Sequence, residues 1–135
     1  MPKAIVDTKL SGDLIANPDV IWSAEALPSS TTKVSDEFKL GQTMAGVEIK
    51  VVAVAGATLV GALTIELQTS ATTGTGYATQ LTSSFIATDV IATGDELARF
   101  ILPREVVDEL YTVVKLTTTG ADEAITVDAY QVFVS

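Results

Sequence analysis

The stretch that decides the fold is Val51–Ile65, VVAVAGATLVGALTI, which carries no charged residue and runs on into Glu66-Leu67-Gln68-Thr69-Ser70. A membrane-spanning helix needs about 20 consecutive apolar residues. This run is shorter, and Gly56 and Gly61 interrupt it. Val, Ile and Thr dominate its ends, and their branched side chains suit a pleated strand better than a helix. The stretch reads as two strands of a β-sandwich joined by a turn near Gly56.

The alternation extends outward on both sides. Val47, Ile49, Val51 and Ala53 fall on one face of a strand. Leu63, Ile65 and Leu67 share a face opposite Thr64, Glu66 and Gln68, the pattern of a half-buried antiparallel strand. Further strands are predicted at Val20-Ile21-Trp22, Thr31–Val34, Ser83–Thr88, Leu97–Leu102, Tyr111–Thr118 and Ile125–Val134. In the last of these, Ile125, Val127, Ala129 and Phe133 share a face. Turn residues separate the strands at Asn17-Pro18-Asp19, Pro28-Ser29-Ser30, Ala71–Gly76, Thr93–Glu96 and Thr119–Asp122. Pro103 stops one strand, and Arg104–Leu110 has spacing for at most about two turns of helix. Residues 1–26 read as an irregular arm with the first strands. About eight strands at roughly ten-residue spacing predict an all-β sandwich or barrel. The length of 135 residues fits a single domain, 1–135.

Composition removes whole classes of chemistry. The chain has no Cys, so disulfides, thiolate metal sites and thiol nucleophiles are excluded. It has no His, which removes the commonest general base, the commonest metal ligand and every Ser-His system. No metal or cofactor is expected. The start, MPKAIVDTKL, lacks the apolar core of a secretory signal, so neither export nor membrane anchoring is expected. Seventeen acids against eight bases give a net charge of −9. Such a surface repels phosphate backbones, so nucleic acid is not an expected partner. Solubility alone accounts for an acidic surface.

Carboxylate pairs are the one remaining catalytic constellation. Asp95-Glu96, Asp108-Glu109 and Asp122-Glu123 lie in or beside turns or a short helix, where acids are ordinarily solvated. Glycoside hydrolysis needs two carboxylates facing across a cleft, which no spacing here indicates. The residues therefore read as non-enzymatic. Asp122, Glu123 and Asp128 lack the alternating ligands and central Gly of an EF-hand calcium loop, and read as a turn plus one exposed strand residue. Gly74-Thr75-Gly76 lacks the following Lys of a phosphate loop. Trp22, the single Trp, reads as core or interface, with sugar stacking as the alternative. In the arm Met1–Leu14, Ile5, Val6, Leu10 and Leu14 are apolar among polar neighbours. They fit either a frayed end or a segment that adds a strand to a partner.

Several stretches together resemble the jelly-roll capsid cement, or decoration, proteins of tailed bacteriophages. Ser29-Ser30-Thr31-Thr32-Lys33-Val34 followed by Phe38-Lys39-Leu40-Gly41 is similar to that family's Ser/Thr-rich strand and short D-L-G element, with Lys39 in place of the Asp. Leu63-Thr64-Ile65-Glu66-Leu67-Gln68-Thr69-Ser70 resembles its L-x-V-x-L-Q-T-S strand. Leu102-Pro103, Leu110–Leu116 and Gly120 resemble a later block, with Leu110 in place of an Arg. Ile125–Val134 fits the closing strand. The likeness covers roughly residues 27–134 and implies a jelly roll of about eight antiparallel strands. It also implies a virion protein made in the host cytoplasm, which binds the outer capsid surface, bridges major capsid protein subunits and associates as a homodimer or homotrimer. Ile5, Val6, Leu10 and Trp22 are the expected partner contacts. A carbohydrate-binding or host-attachment module on the virion surface is the alternative.

Overall fold

A computed structural model of the chain describes residues 20–38, 47–102 and 111–133. Its described elements are all β-strands. They are β1 (Val20–Ala26), β2 (Thr32–Val34), β3 (Val47–Ala55), β4 (Ala57–Thr58), β5 (Leu63–Ser70), β6 (Ala78–Phe85), β7 (Val90–Ile91), β8 (Glu96–Leu102), β9 (Tyr111–Thr118) and β10 (Thr126–Phe133). One four-stranded sheet has the order β1-β10-β3-β8, a second has the order β2-β9-β5-β6, and β4 and β7 form a two-stranded ribbon. Every pairing is antiparallel.

The pairings are nested. Leaving the ribbon aside, the first strand lies beside the last, the second beside the second-last, β3 beside β8, and β5 beside β6. Among the described strands of the two sheets, only β5 and β6 are consecutive within one sheet; every other connection passes between sheets.

The inward faces of the two sheets meet in one hydrophobic cluster. Ile49, Val51 and Ala53 from β3, Phe100 from β8, and Val127 and Ala129 from β10 supply one side. Leu63, Ile65 and Leu67 from β5, with Val114 and Leu116 from β9, supply the other. The arrangement is that of a β-sandwich, with an interior almost wholly aliphatic.

Three expectations change in detail. The chain does not make a hairpin at Gly56. It leaves one sheet at Ala55, forms the short β4, and joins the other sheet at Leu63. Gly56 is needed for close approach: a Cβ there would stand 2.2 Å from the Ile91 carbonyl oxygen. The uncharged run is also not uniformly buried, because Val54 and Val60 face solvent. The strand expected at Ser83–Thr88 starts earlier, at Ala78, and ends at Phe85, leaving Ile86 exposed. The possible helix at Arg104–Leu110 and the early turn at Asn17–Asp19 lie outside the described residues.

Candidate interaction surface

One end of the sandwich carries three exposed aliphatic side chains. Val60 is 65 %, Ile86 70 % and Val90 72 % exposed. All three belong to the β4–β7 ribbon and its flanking loops. Thr58 pairs with Val90. Leu59 N–H donates to the Asp89 carbonyl at 2.8 Å, and Thr88 N–H donates to the Leu59 carbonyl at 2.9 Å. Leu59 and Ile91 point inward and are buried, so their neighbours Val60 and Val90 are turned outward by strand alternation.

The frame beneath this tip is tightly braced. Asp122, only 2 % exposed, accepts hydrogen bonds from Val60 N–H at 2.6 Å and Gly61 N–H at 3.3 Å. The sequence reading of Asp122 as a solvated turn acid is therefore corrected: its carboxylate anchors a loop 62 residues away in the chain. Gly61 and Gly120 touch backbone to backbone; a Cβ on Gly61 would lie 2.3 Å from Gly120 N. On the other side of the tip, Asp89 Oδ2 accepts from Ile86 N–H at 3.0 Å, and Asp89 N–H donates to the Ile86 carbonyl at 3.2 Å. Within that turn Thr88 has φ of +76°, a left-handed backbone that a β-branched residue rarely adopts.

Asp89, Asp95 and Glu96 flank the tip in a shallow depression with Phe85, Val90, Ile91 and Leu97. Asp95 Oδ2 accepts from Ala92 N–H at 2.8 Å, a turn-stabilising bond. Among the described residues, no group of three His, Cys, Asp or Glu side chains could hold a metal ion.

Of the residues singled out in the sequence, Ile5, Val6, Leu10 and Leu14 lie outside the described residues. Trp22 sits on β1, half-buried, packed against the core and opposite Ala129 of β10. It lines a cleft of about 500 Å³ with Val20, Ser23, Asp128, Tyr130 and Val132. The cleft follows from an irregular seam: the β1–β10 register shifts on both sides of Ala129, and Ala24 has φ of +50°. Asp128 is not merely an exposed strand residue, since its Oδ1 accepts from Ala24 N–H at 2.8 Å and holds that irregularity.

A third feature lies on the loop between β5 and β6. The Glu37 carboxylate accepts from Thr73 Oγ1, Gly74 N–H and Tyr77 OH. These bonds, Thr73 first, hold Glu37 below the usual carboxylate range. Burial, then the bond to Glu37 and its charge, push the Tyr77 phenol up.

Each Lys and Arg among the described residues is in an ion pair: Lys33 with Glu25, Lys50 and Arg99 with Glu48, and Lys115 with Glu66. Among the described residues, an anionic ligand meets no cation that lacks an acidic partner. No helix among the described residues is long and apolar enough to cross a membrane. No protein-family model matches the chain, and no curated protein matches it.

The tip was missed by sequence reasoning for a physical reason. Val60 sits in an apolar run and reads as core, Ile86 reads as a strand residue, and Val90 falls between the expected strands. The signal that could have found it is the pair Gly56 and Gly61, which bracket too few residues for a paired core strand.

Proposed function

We propose that this protein is a structural binding module, and that it acts as a capsid cement protein on the outer surface of a tailed-phage capsid, bridging major capsid protein subunits. The observation that carries the binding role is the braced tip. Three exposed aliphatic side chains on one ribbon and its flanking turns offer a partner an apolar contact, and a rigid frame lowers the ordering cost of docking. The nested strand order supports a jelly-roll topology of eight principal strands, an architecture of two Greek keys. The strand resemblances at Ser29–Val34, Leu63–Ser70, Leu110–Leu116 and Ile125–Val134 supply the link to capsids. The acidic exterior, with its described bases already paired, supports a position facing away from packaged DNA. Many copies on one particle multiply a modest binding energy per contact. The reading assigns no catalytic residue, cofactor or metal, and it includes self-association.

The test asks first whether a major capsid protein is encoded beside this chain, and then uses capsids assembled from that protein. Added protein is expected to decorate the outer surface in cryo-electron microscopy. Val60→Asp with Val90→Asp is expected to reduce occupancy at least about tenfold, since charges replace an apolar contact. Absence of outer density, with wild-type protein present and folded, overturns the capsid reading. Full occupancy by the double variant removes the tip from it.

The Trp22 cleft favours a second reading, a carbohydrate-binding or host-attachment module. An aromatic face beside an acid and a Tyr is a common way to hold a sugar ring. Saturable quenching of Trp22 fluorescence by a glycan panel supports it; a flat response removes it.

A further inference from the structure

Among the described residues the two sheets have four edges, and three of them carry devices that oppose pairing with another chain. β2 is three residues long and bears Lys33. β1 is bulged at two places along β10 and bears Glu25. β8 bears Glu96 and Arg99, and its Leu97 carbonyl is capped at 2.7 Å by the Ser83 hydroxyl.

The fourth edge, β6, reads ATQLTSSF and contains no charged residue and no Pro. It has one bulge, at Gln80, where the register with β5 passes from Leu67↔Leu81 to Gln68↔Thr79. Beyond that, Leu81–Phe85 is regular, pairing continuously with β5. Among the described residues, no backbone pairs with its outer side; its one link to β8 is the Ser83 hydroxyl, which donates to the Leu97 carbonyl.

We propose that Leu81–Phe85 of β6 pairs antiparallel with the same segment of a second copy of this chain, joining two four-stranded sheets across a two-fold axis. The occupant follows from charge. Two copies each carrying −9 repel, so they approach only where no charge faces its like. Two-fold pairing about the middle of β8 or β2 would set Arg99 against Arg99 or Lys33 against Lys33, and β1 is broken by its bulges, whereas β6 presents only neutral side chains to itself. An antiparallel edge contact is isologous, so one self-compatible segment suffices. This deepens the self-association in the proposed function and rests on that part of it alone. The isolated protein tests it, so its failure leaves capsid binding standing.

Sedimentation equilibrium from about 1 to about 300 μM is expected to show a reversible dimer that tightens with added NaCl, as screening weakens the repulsion. Hydrogen exchange is expected to show protection of Leu81–Phe85 that rises with concentration. Thr82→Lys with Ser84→Lys, both at exposed positions, is expected to weaken the dimer at least about tenfold, while Thr58→Lys on the ribbon leaves it unchanged. A monomer throughout, a trimer, concentration-dependent protection on another strand, or a dimer indifferent to the β6 lysines overturns the proposal. The exchange measurement on the wild-type chain decides the matter even where a variant fails to fold.

Discussion

Removing the Asp122 carboxylate strips Val60 and Gly61 of the acceptor for their N–H groups, in a place where water does not reach Asp122. Unpaired buried donors cost more than the net worth of the bonds lost. Asp122→Ala is expected to lower unfolding stability by about 2–3 kcal/mol in urea titration, and Asp122→Asn by less, since one carbonyl acceptor remains. Gly61→Ala forces a methyl group into the backbone of Gly120 and Thr119; about 2 kcal/mol of destabilisation is expected. Thr88 works in the opposite sense. Its φ of +76° is strained for a β-branched side chain, and glycine relieves that strain at a smaller entropic cost. Thr88→Gly is expected to raise the urea midpoint by the equivalent of about 1 kcal/mol. A lowered midpoint would mean that the Thr88 side chain holds the turn.

At the scale of elements, β3 and β8 are joined by more than their ladder. Glu48, nearly buried, accepts from Arg99 Nε at 2.7 Å, and Lys50 stands 3.7 Å away. The Arg99 hydrogen bond is the main cause that holds Glu48 below the ordinary carboxylate range; burial opposes it, and the charges of Arg99 and Lys50 add to it. A carboxylate with a depressed folded value contributes stability above its unfolded value, about 4.3, and loses it as pH falls through the folded value. The protein is therefore expected to lose stability as pH drops below about 4. Glu48→Gln is expected to be less stable at neutral pH and to show a flatter acid limb in urea titrations at stepped pH. An unchanged slope would assign acid sensitivity to other carboxylates.

The same scale shows which elements were legible. β5 and β9 follow from alternation, because burial on one face leaves a period of two in the sequence: Leu63, Ile65 and Leu67 inward, Thr64, Glu66 and Gln68 outward. The first half of β6 was not legible, since an edge strand made of Ala78, Thr79 and Gln80 buries little and leaves no apolar period. Gln131 is buried in line with Val127 and Ala129, a polar residue that apolar patterning passes over. The tip was illegible because Val60 looks like core until the nearby chain crossing between sheets is known.

Over the whole molecule, the balance of charge sets how the sandwich responds to its medium. The net charge is −9 on a chain of 14.1 kDa. The described cations are already matched to acids, so the excess of acids remains as mutual repulsion across the surface. Folding brings these charges closer together, which destabilises the compact state. Salt screens both the repulsion and the partly exposed ion pairs, but exposed pairs are each worth only about 0–1 kcal/mol, and the acids outnumber them. Raising NaCl from about 0.01 M to about 0.5 M shortens the screening length from about 30 Å to under 10 Å. The urea midpoint is expected to rise over that range, measured at concentrations where the chain is monomeric so that association does not contribute. A falling midpoint would mean that the Glu48 cluster and its fellow pairs outweigh the repulsion. The acidic surface would then be organised as a stabilising network, which ties its acids to their partners within the fold and leaves fewer of them to keep copies apart.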